Sequence, residues 1–186
     1  MQETTNMNKR YIVILKNENF LPSEYEKLFK LFKEILANYK LNDVRIANEH
    51  IEVDLFSENE DFLKLLSNFK ILDVRDLSKQ LNENIFEVAK DLFNKERFWE
   101  FHETLEYVWR KSEEKEKQIL HGLILLAAAF VHKQRNKNDV ALSVIKRALK
   151  ELENYEGIYQ GFDISYIKEK IYEIISSGII KEFKIE

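Results

Sequence analysis

The spacing of apolar residues along the chain changes near residue 80. Up to that point, short apolar runs alternate with segments of helical periodicity. The run Tyr11 to Leu15 is typical of a buried strand, and residues 51–55 alternate between apolar and polar, as a strand with one buried face does. The predicted order is β-α-β-β-α-β, with strands at 11–15, 44–47, 51–55 and 71–74 and with helices that begin near the capping-box residues Ser23 and Ser57.

Beyond residue 81 the apolar residues recur with the period of a helix. Helices are predicted at about 83–93, 97–111, 114–134, 139–154 and 164–177. We therefore expect an α+β protein. Its N-terminal domain, ferredoxin-like, occupies residues 8–78, an all-α bundle of about five helices occupies 83–178, and the tail at 179–186 is apolar enough to add a late strand to the N-terminal sheet.

Composition and charge argue against several classes of function. The chain has 186 residues, no cysteine and a net charge of −4, with 12 basic against 14 acidic residues up to residue 80 and 17 against 19 after it. Neither half has the basic excess that nucleic-acid binding requires. The apolar run Ile119 to Val131 is shorter than a membrane span, and residues 1–10 lack the apolar core of a signal peptide. We expect a cytoplasmic protein without nucleic-acid or membrane partners.

The predicted N-terminal domain offers little chemistry. It has no glycine-rich phosphate loop, and we predict no cluster of titratable groups in it. Its histidine, His50, falls at the predicted hairpin, where side chains are usually exposed. We therefore expect His50 to be exposed and without a role.

Candidate chemistry is concentrated in the second predicted helix of the bundle. His102 shares a helical stripe with Phe98 and Trp109, so we predict that it is buried. Glu106 lies one turn beyond His102, and Glu103 lies at the edge of the same surface. Because a chain without cysteine must hold a metal through His, Asp and Glu, these side chains are candidate ligands.

The following helix offers two further candidate ligands. In an antiparallel helix pair His121 lies at the height of His102, whereas His132 lies roughly 16 Å further along the helix, so either can join the site but not both. Two imidazoles with one or two carboxylates suit zinc, manganese, iron or nickel, and Glu103 is then placed to act as a general base. No organic cofactor is indicated.

A structural interpretation of the same residues stays open. A histidine in an apolar stripe with a glutamate four residues on more often forms a satisfied hydrogen bond than a metal site. Phe98 and Trp109 are likewise more typical of a core or a dimer interface than of a substrate pocket.

The pattern resembles a known family. The residues that carry the resemblance are Phe93-Asn94, Phe98, Glu100, His102-Glu103, Leu105-Glu106 and Trp109, followed by Gly122-Leu123-Ile124, Ala127-Ala128 and His132. Over about residues 84–153 the chain is similar to a widespread prokaryotic family, catalogued as a domain of unknown function and often labelled a predicted metal-dependent hydrolase. The resemblance implies a small helical domain that self-associates, with His102, Glu103, Glu106 and His132 as its polar signature. Leu125 departs from the family, which usually has Gln there.

Two functions follow from this sequence. The first is a metal-dependent hydrolase of an unidentified small-molecule substrate, with His102, Glu106 and either His121 or His132 as ligands. The second is a non-catalytic assembly, ligand-binding or regulatory module, in which this helix forms a buried polar network or a dimer face. In either case we expect a homo-oligomer.

Overall fold

The computed structural model describes residues 9–79 and 84–185, and it divides the chain into two compact units at residue 80. We call residues 1–80 the sheet unit and residues 81–186 the helical unit. Strands in the first and several helices in the second confirm the predicted α+β class. No helix among the described residues is both long and apolar enough to cross a membrane.

The sheet unit contains an antiparallel sheet of four strands in the order β2-β3-β1-β4. Its elements are β1 (Lys9–Lys16), a 3₁₀ helix (Pro22–Glu24), α1 (Tyr25–Ile35), β2 (Lys40–Ile46), β3 (His50–Ser57), a second 3₁₀ helix (Asp61–Leu66) and β4 (Ile71–Asp76). Because alternate strand residues share a face, Val13, Leu15 and Val53 form one core with Phe32 of α1.

The second connection of the sheet unit differs from its prediction. The segment after β3 is a 3₁₀ helix, Asp61–Leu66, and not an α-helix. Ser57 remains within β3, and its hydroxyl bonds to the backbone of Asn59 instead of capping a helix. Phe62 and Leu66 are buried, whereas Leu65 is exposed. The prediction was wrong because the apolar residues here do not all face the core.

The helical unit contains five helices among its described residues. They are α2 (Ile85–Asn94), α3 (Phe98–Trp109), α4 (Glu114–Gln134), α5 (Asn138–Leu152) and α6 (Ile164–Ser177), with a short hairpin of β5 (Ile158–Tyr159) and β6 (Phe162–Asp163) before α6. Aromatic rings fill the core: Phe98 stacks on Phe130 at 4.6 Å, and Phe93 meets both rings edge-on. Gly122 of α4 lies against Leu152 of α5, where an added Cβ would come within 2.6 Å of that side chain.

The tail after α6 does not form the predicted strand within residues 179–185. Ile180 and Ile185 are instead buried in the core of the helical unit. The side-chain amide of Asn94 accepts a hydrogen bond from the Ile185 N–H and donates one to its carbonyl, both at 2.7 Å. The main-chain N–H and carbonyl of Ile185 therefore bond to the side chain of Asn94 and not to a neighbouring strand, as the prediction had it.

Candidate functional site

Helix α3 brings one histidine and two glutamates together. The ligand atoms of His102, Glu103 and Glu106 all lie within 4.8 Å of one another. Nε2 of His102 lies 3.8 Å from Oε2 of Glu106. Residues three and four apart share a helix surface, so this grouping follows directly from the spacing in the sequence.

The three side chains form a solvent-accessible cluster, which corrects the prediction that His102 is buried. The side chains of His102 and Glu106 are 28% and 31% exposed, and Glu103 is exposed. Phe98, Phe101 and Leu105 of α3 are the residues that enter the core. His102 lies at the edge of that apolar face, so water and solutes can reach its imidazole.

Arg110, directly after α3, is a fourth charged group beside the cluster. Its Nη2 donates to Oε1 of Glu106 at 2.8 Å, while Oε2 of the same carboxylate faces His102. The hydrogen bond and charge of Glu106, together with the charge of Glu103, raise the pKa of Arg110. The guanidinium is 68% exposed. The two oxygens of Glu106 therefore have different neighbours.

The two other predicted histidines do not join this cluster among the described residues. Nδ1 of His121 lies 3.6 Å from Oε1 of Glu151 on α5, and its ring lies 6.4 Å from that of Trp109. His132 lies in the last turn of α4, where its carbonyl accepts hydrogen bonds from the backbone N–H groups of residues 135 and 137.

The two aromatic candidates have different surroundings. Phe98 is fully buried among the rings of the core. Trp109 is half-buried, and the ammonium of Lys117 lies 5.8 Å from its ring. Of the two, Trp109 is the ring that solvent can reach.

The cluster fits a divalent metal ion by its donor set and its spacing. One imidazole and two carboxylates suit zinc, manganese, iron or nickel. Ligands bound at about 2.0–2.2 Å from one ion lie roughly 3–3.5 Å from each other. The 3.8 Å between His102 and Glu106 is close to that separation, so small side-chain rotations bring both atoms into range.

The sheet unit contains a buried cluster of charged side chains that the sequence analysis did not predict. Arg45 is fully buried, and its guanidinium bonds to three carboxylates: Nε donates to Glu52 at 2.5 Å, and Nη1 to Asp54 at 3.1 Å and to Asp43 at 3.3 Å. His50 is also buried, with Nε2 3.4 Å from Glu52. The expectations of an exposed His50 and of no titratable cluster in this domain are both wrong.

Two further side chains complete the network at Asp54. Arg10 donates to both of its carboxylate oxygens, at 2.9 and 2.7 Å, and the amide of Asn42 donates at 3.1 Å. Together with Arg45, these residues direct four donors at one carboxylate. Buried charges are stable only when paired and hydrogen-bonded in this way.

The network changes the pKa values of its members. Burial alone would raise the pKa of Glu52, but the charge of Arg45 and the hydrogen bond from His50 outweigh it and lower that pKa to about 2. Burial opposes the charge on Arg45, yet Glu52, Asp54 and Asp43 together raise its pKa. The pair is therefore ionised throughout the physiological range.

A signal for this network was present in the sequence. In residues 43–46 and 51–55 charged residues alternate with apolar ones, which places all the charges on one face of the hairpin. The strand register puts Arg45 opposite Glu52 and Asp43 opposite Asp54. Reading this alternation as a solvent-exposed face was the error.

Comparisons with known proteins find a similarity to an uncharacterised family over part of the chain. Residues 86–144 match the model of a domain of unknown function, DUF309. None of the curated proteins matches the chain. A similar solved structure is the conserved hypothetical protein TTHA0068 from Thermus thermophilus, which is 27% identical with a TM-score of 0.44; the match covers 49% of this chain and 95% of that chain. The matched domain runs from α2 into α5 and includes the α3 cluster.

Proposed function

We propose that the protein is a metal-dependent hydrolase whose ion is held by His102 and Glu106, with Glu103 as the general base. The observation that carries this proposal is the grouping of one imidazole and two carboxylates, with ligand atoms within 4.8 Å, on a helix surface open to solvent.

In the proposed hydrolysis, the bound ion and the residues of the chain have separate roles. A bound divalent ion lowers the pKa of water and polarises the substrate. Glu103 accepts a proton from the attacking water, whose oxygen bonds to the electrophilic atom of the substrate. The scissile bond breaks, and the proton passes from Glu103 to the leaving group. His102 and Glu106 fix the position at which this exchange takes place.

Self-association is part of the proposal. His102 and Glu106, two ligands from one helix, would leave coordination positions open, and catalytic metal sites typically keep such positions for water and substrate. A second copy of the chain is the partner that would shield this exposed site from bulk water.

Metal titration of untagged protein by calorimetry tests the proposal. We expect one zinc, manganese or nickel ion per chain, and a loss of affinity of at least about tenfold in both His102→Ala and Glu106→Gln. His121→Ala is the matched control, because His121 also pairs with a glutamate but has no second carboxylate in a metal-binding group among the described residues. Equal binding by His102→Ala and the unmodified protein, or no binding at all, would contradict the proposal.

A second measurement separates catalysis from binding alone. With the preferred metal, hydrolysis of p-nitrophenyl phosphate and p-nitrophenyl acetate is measured for the unmodified protein and for Glu103→Gln. Loss of a general base lowers the rate by about 10²–10⁴-fold. Stoichiometric metal without hydrolysis would support the alternative of a ligand-binding or regulatory module.

A further inference from the structure

We propose that Arg110 is the anion-binding residue of the α3 cluster and that the substrate carries a phosphoryl group. This inference rests on the proposed function, and it adds the chemical class of the substrate. It begins from the position of Arg110 at Oε1 of Glu106, on the other oxygen from the one that faces His102.

The division of Glu106 between two neighbours lets a cation and Arg110 lie side by side. Oε2 of Glu106 is the oxygen nearest His102, so these two groups would hold the ion. The guanidinium remains next to the ion instead of occupying its place. Arg110 is therefore positioned beside the substrate of a metal site without competing for the same oxygen.

The charges of the group favour an anionic substrate. Glu103 and Glu106 balance the two charges of a divalent ion, and the imidazole of His102 is a neutral ligand. The positive charge of Arg110 is then in excess. A negatively charged group that contacts both the ion and the guanidinium would neutralise it.

Arg110 has the free hydrogen-bonding capacity that such a role needs. A guanidinium has five N–H donors, and among the described residues Glu106 is the one that Arg110 bonds to. Its side chain is 68% exposed, and an exposed i,i+4 pair of this kind is weak, so Arg110 can turn toward a ligand. A planar fork of donors matches phosphoryl oxygens in a two-point contact, which distinguishes arginine from lysine.

The test is calorimetric titration of phenylphosphonate, a phosphoryl probe, into the full chain loaded with nickel. We compare the unmodified protein, Arg110→Gln and Arg110→Lys, with Arg147→Gln as an exposed arginine control on α5. Arg110→Gln should weaken phenylphosphonate binding by about tenfold or more, because a charge-assisted pair is lost. Arg110→Lys should be intermediate, and Arg147→Gln should bind like the unmodified protein.

Nickel affinity is measured separately for each variant, so the two proposals fail in different ways. Arg110→Gln should bind nickel about as tightly as the unmodified protein, because Arg110 bonds to Oε1 of Glu106 and not to the oxygen that faces His102. Normal nickel binding with undiminished phenylphosphonate binding in Arg110→Gln overturns the role of Arg110. Benzoate binding as tight as that of phenylphosphonate overturns the phosphoryl assignment. Absence of nickel binding in the unmodified protein overturns the proposed function and this inference with it.

Discussion

The two charged clusters described above, one in each unit, differ in their exposure to solvent. In the sheet unit, Arg45, Glu52 and Asp54 are fully buried, and Arg45 donates a hydrogen bond to each of the two carboxylates. In the helical unit, His102 and Glu106 are partly exposed, and their neighbour Arg110 is mostly exposed. Buried charges of this kind are stable because they are paired and hydrogen-bonded, whereas an accessible cluster with spare donors and acceptors is available to a ligand.

The largest expected effect is on the buried side of this comparison. Arg45→Met leaves three buried carboxylates without their shared cation, and we expect a loss of about 3–5 kcal/mol in the free energy of unfolding of the sheet unit. Amide hydrogen exchange of β2 and β3 in the full chain measures it. The exposed Lys30→Met is the control and should change stability by less than about 0.5 kcal/mol.

A double variant sharpens the same prediction. Replacing both Arg45 and Glu52 with methionine removes a charge of each sign, so part of the lost stability should return relative to Arg45→Met. If the two side chains did not act as a pair, their effects would add: the double variant would be less stable than Arg45→Met by the whole loss that Glu52→Met causes alone. That result would contradict the prediction.

The next largest expected effect is the loss of stability at acidic pH. Because the pKa of Glu52 is lowered from 4.5 to about 2, its contribution to stability is fully present above pH 4.5 and is lost as the pH falls through about 2. The lowered pKa corresponds to about 3 kcal/mol. Free energies of unfolding measured between pH 5 and pH 2 should fall more steeply for the unmodified protein than for Glu52→Gln, in which residue 52 cannot titrate. Identical slopes would refute this assignment.

The smallest expected effect is on the exposed side. Glu106→Gln removes the ion pair with Arg110, and we expect the metal-free protein to lose less than about 0.5 kcal/mol, because exposed ion pairs contribute little. Urea denaturation followed by the fluorescence of the two tryptophans, both in the helical unit, measures this change. A loss of several kcal/mol would make the α3 cluster a structural network like the one in the sheet unit.

Features that depend on local spacing were predictable from the sequence. Helix α4 is predicted at about 114–134 and forms at Glu114–Gln134, because this segment has no proline and consists largely of strong helix formers such as Leu, Ala, Glu and Lys. Glu106 meets His102 and Glu103 because it lies four and three residues beyond them on one helix.

Features that depend on the rotation or register of elements were not predictable in this way. Helix α3 has more than one apolar stripe, and the stripe that packs inward determines whether His102 is buried. Phe101 is buried as well as Phe98, so the stripe that contains Phe98 and His102 does not by itself define the buried face. The alternation of charged and apolar residues in β2 and β3 is the same whether the charged face is exposed to solvent or buried. Its burial became evident only from the tertiary structure.

The missing side chain at Gly122 has a consequence for the histidine beside it. Because Gly122 has no Cβ, Leu152 of α5 lies directly against the backbone of α4. The Cβ of Glu151 lies 3.3 Å from the position that a Cβ of residue 122 would occupy. His121 is adjacent to this contact and its imidazole faces the same glutamate. The close crossing of the two helices thereby places a carboxylate of α5 next to His121.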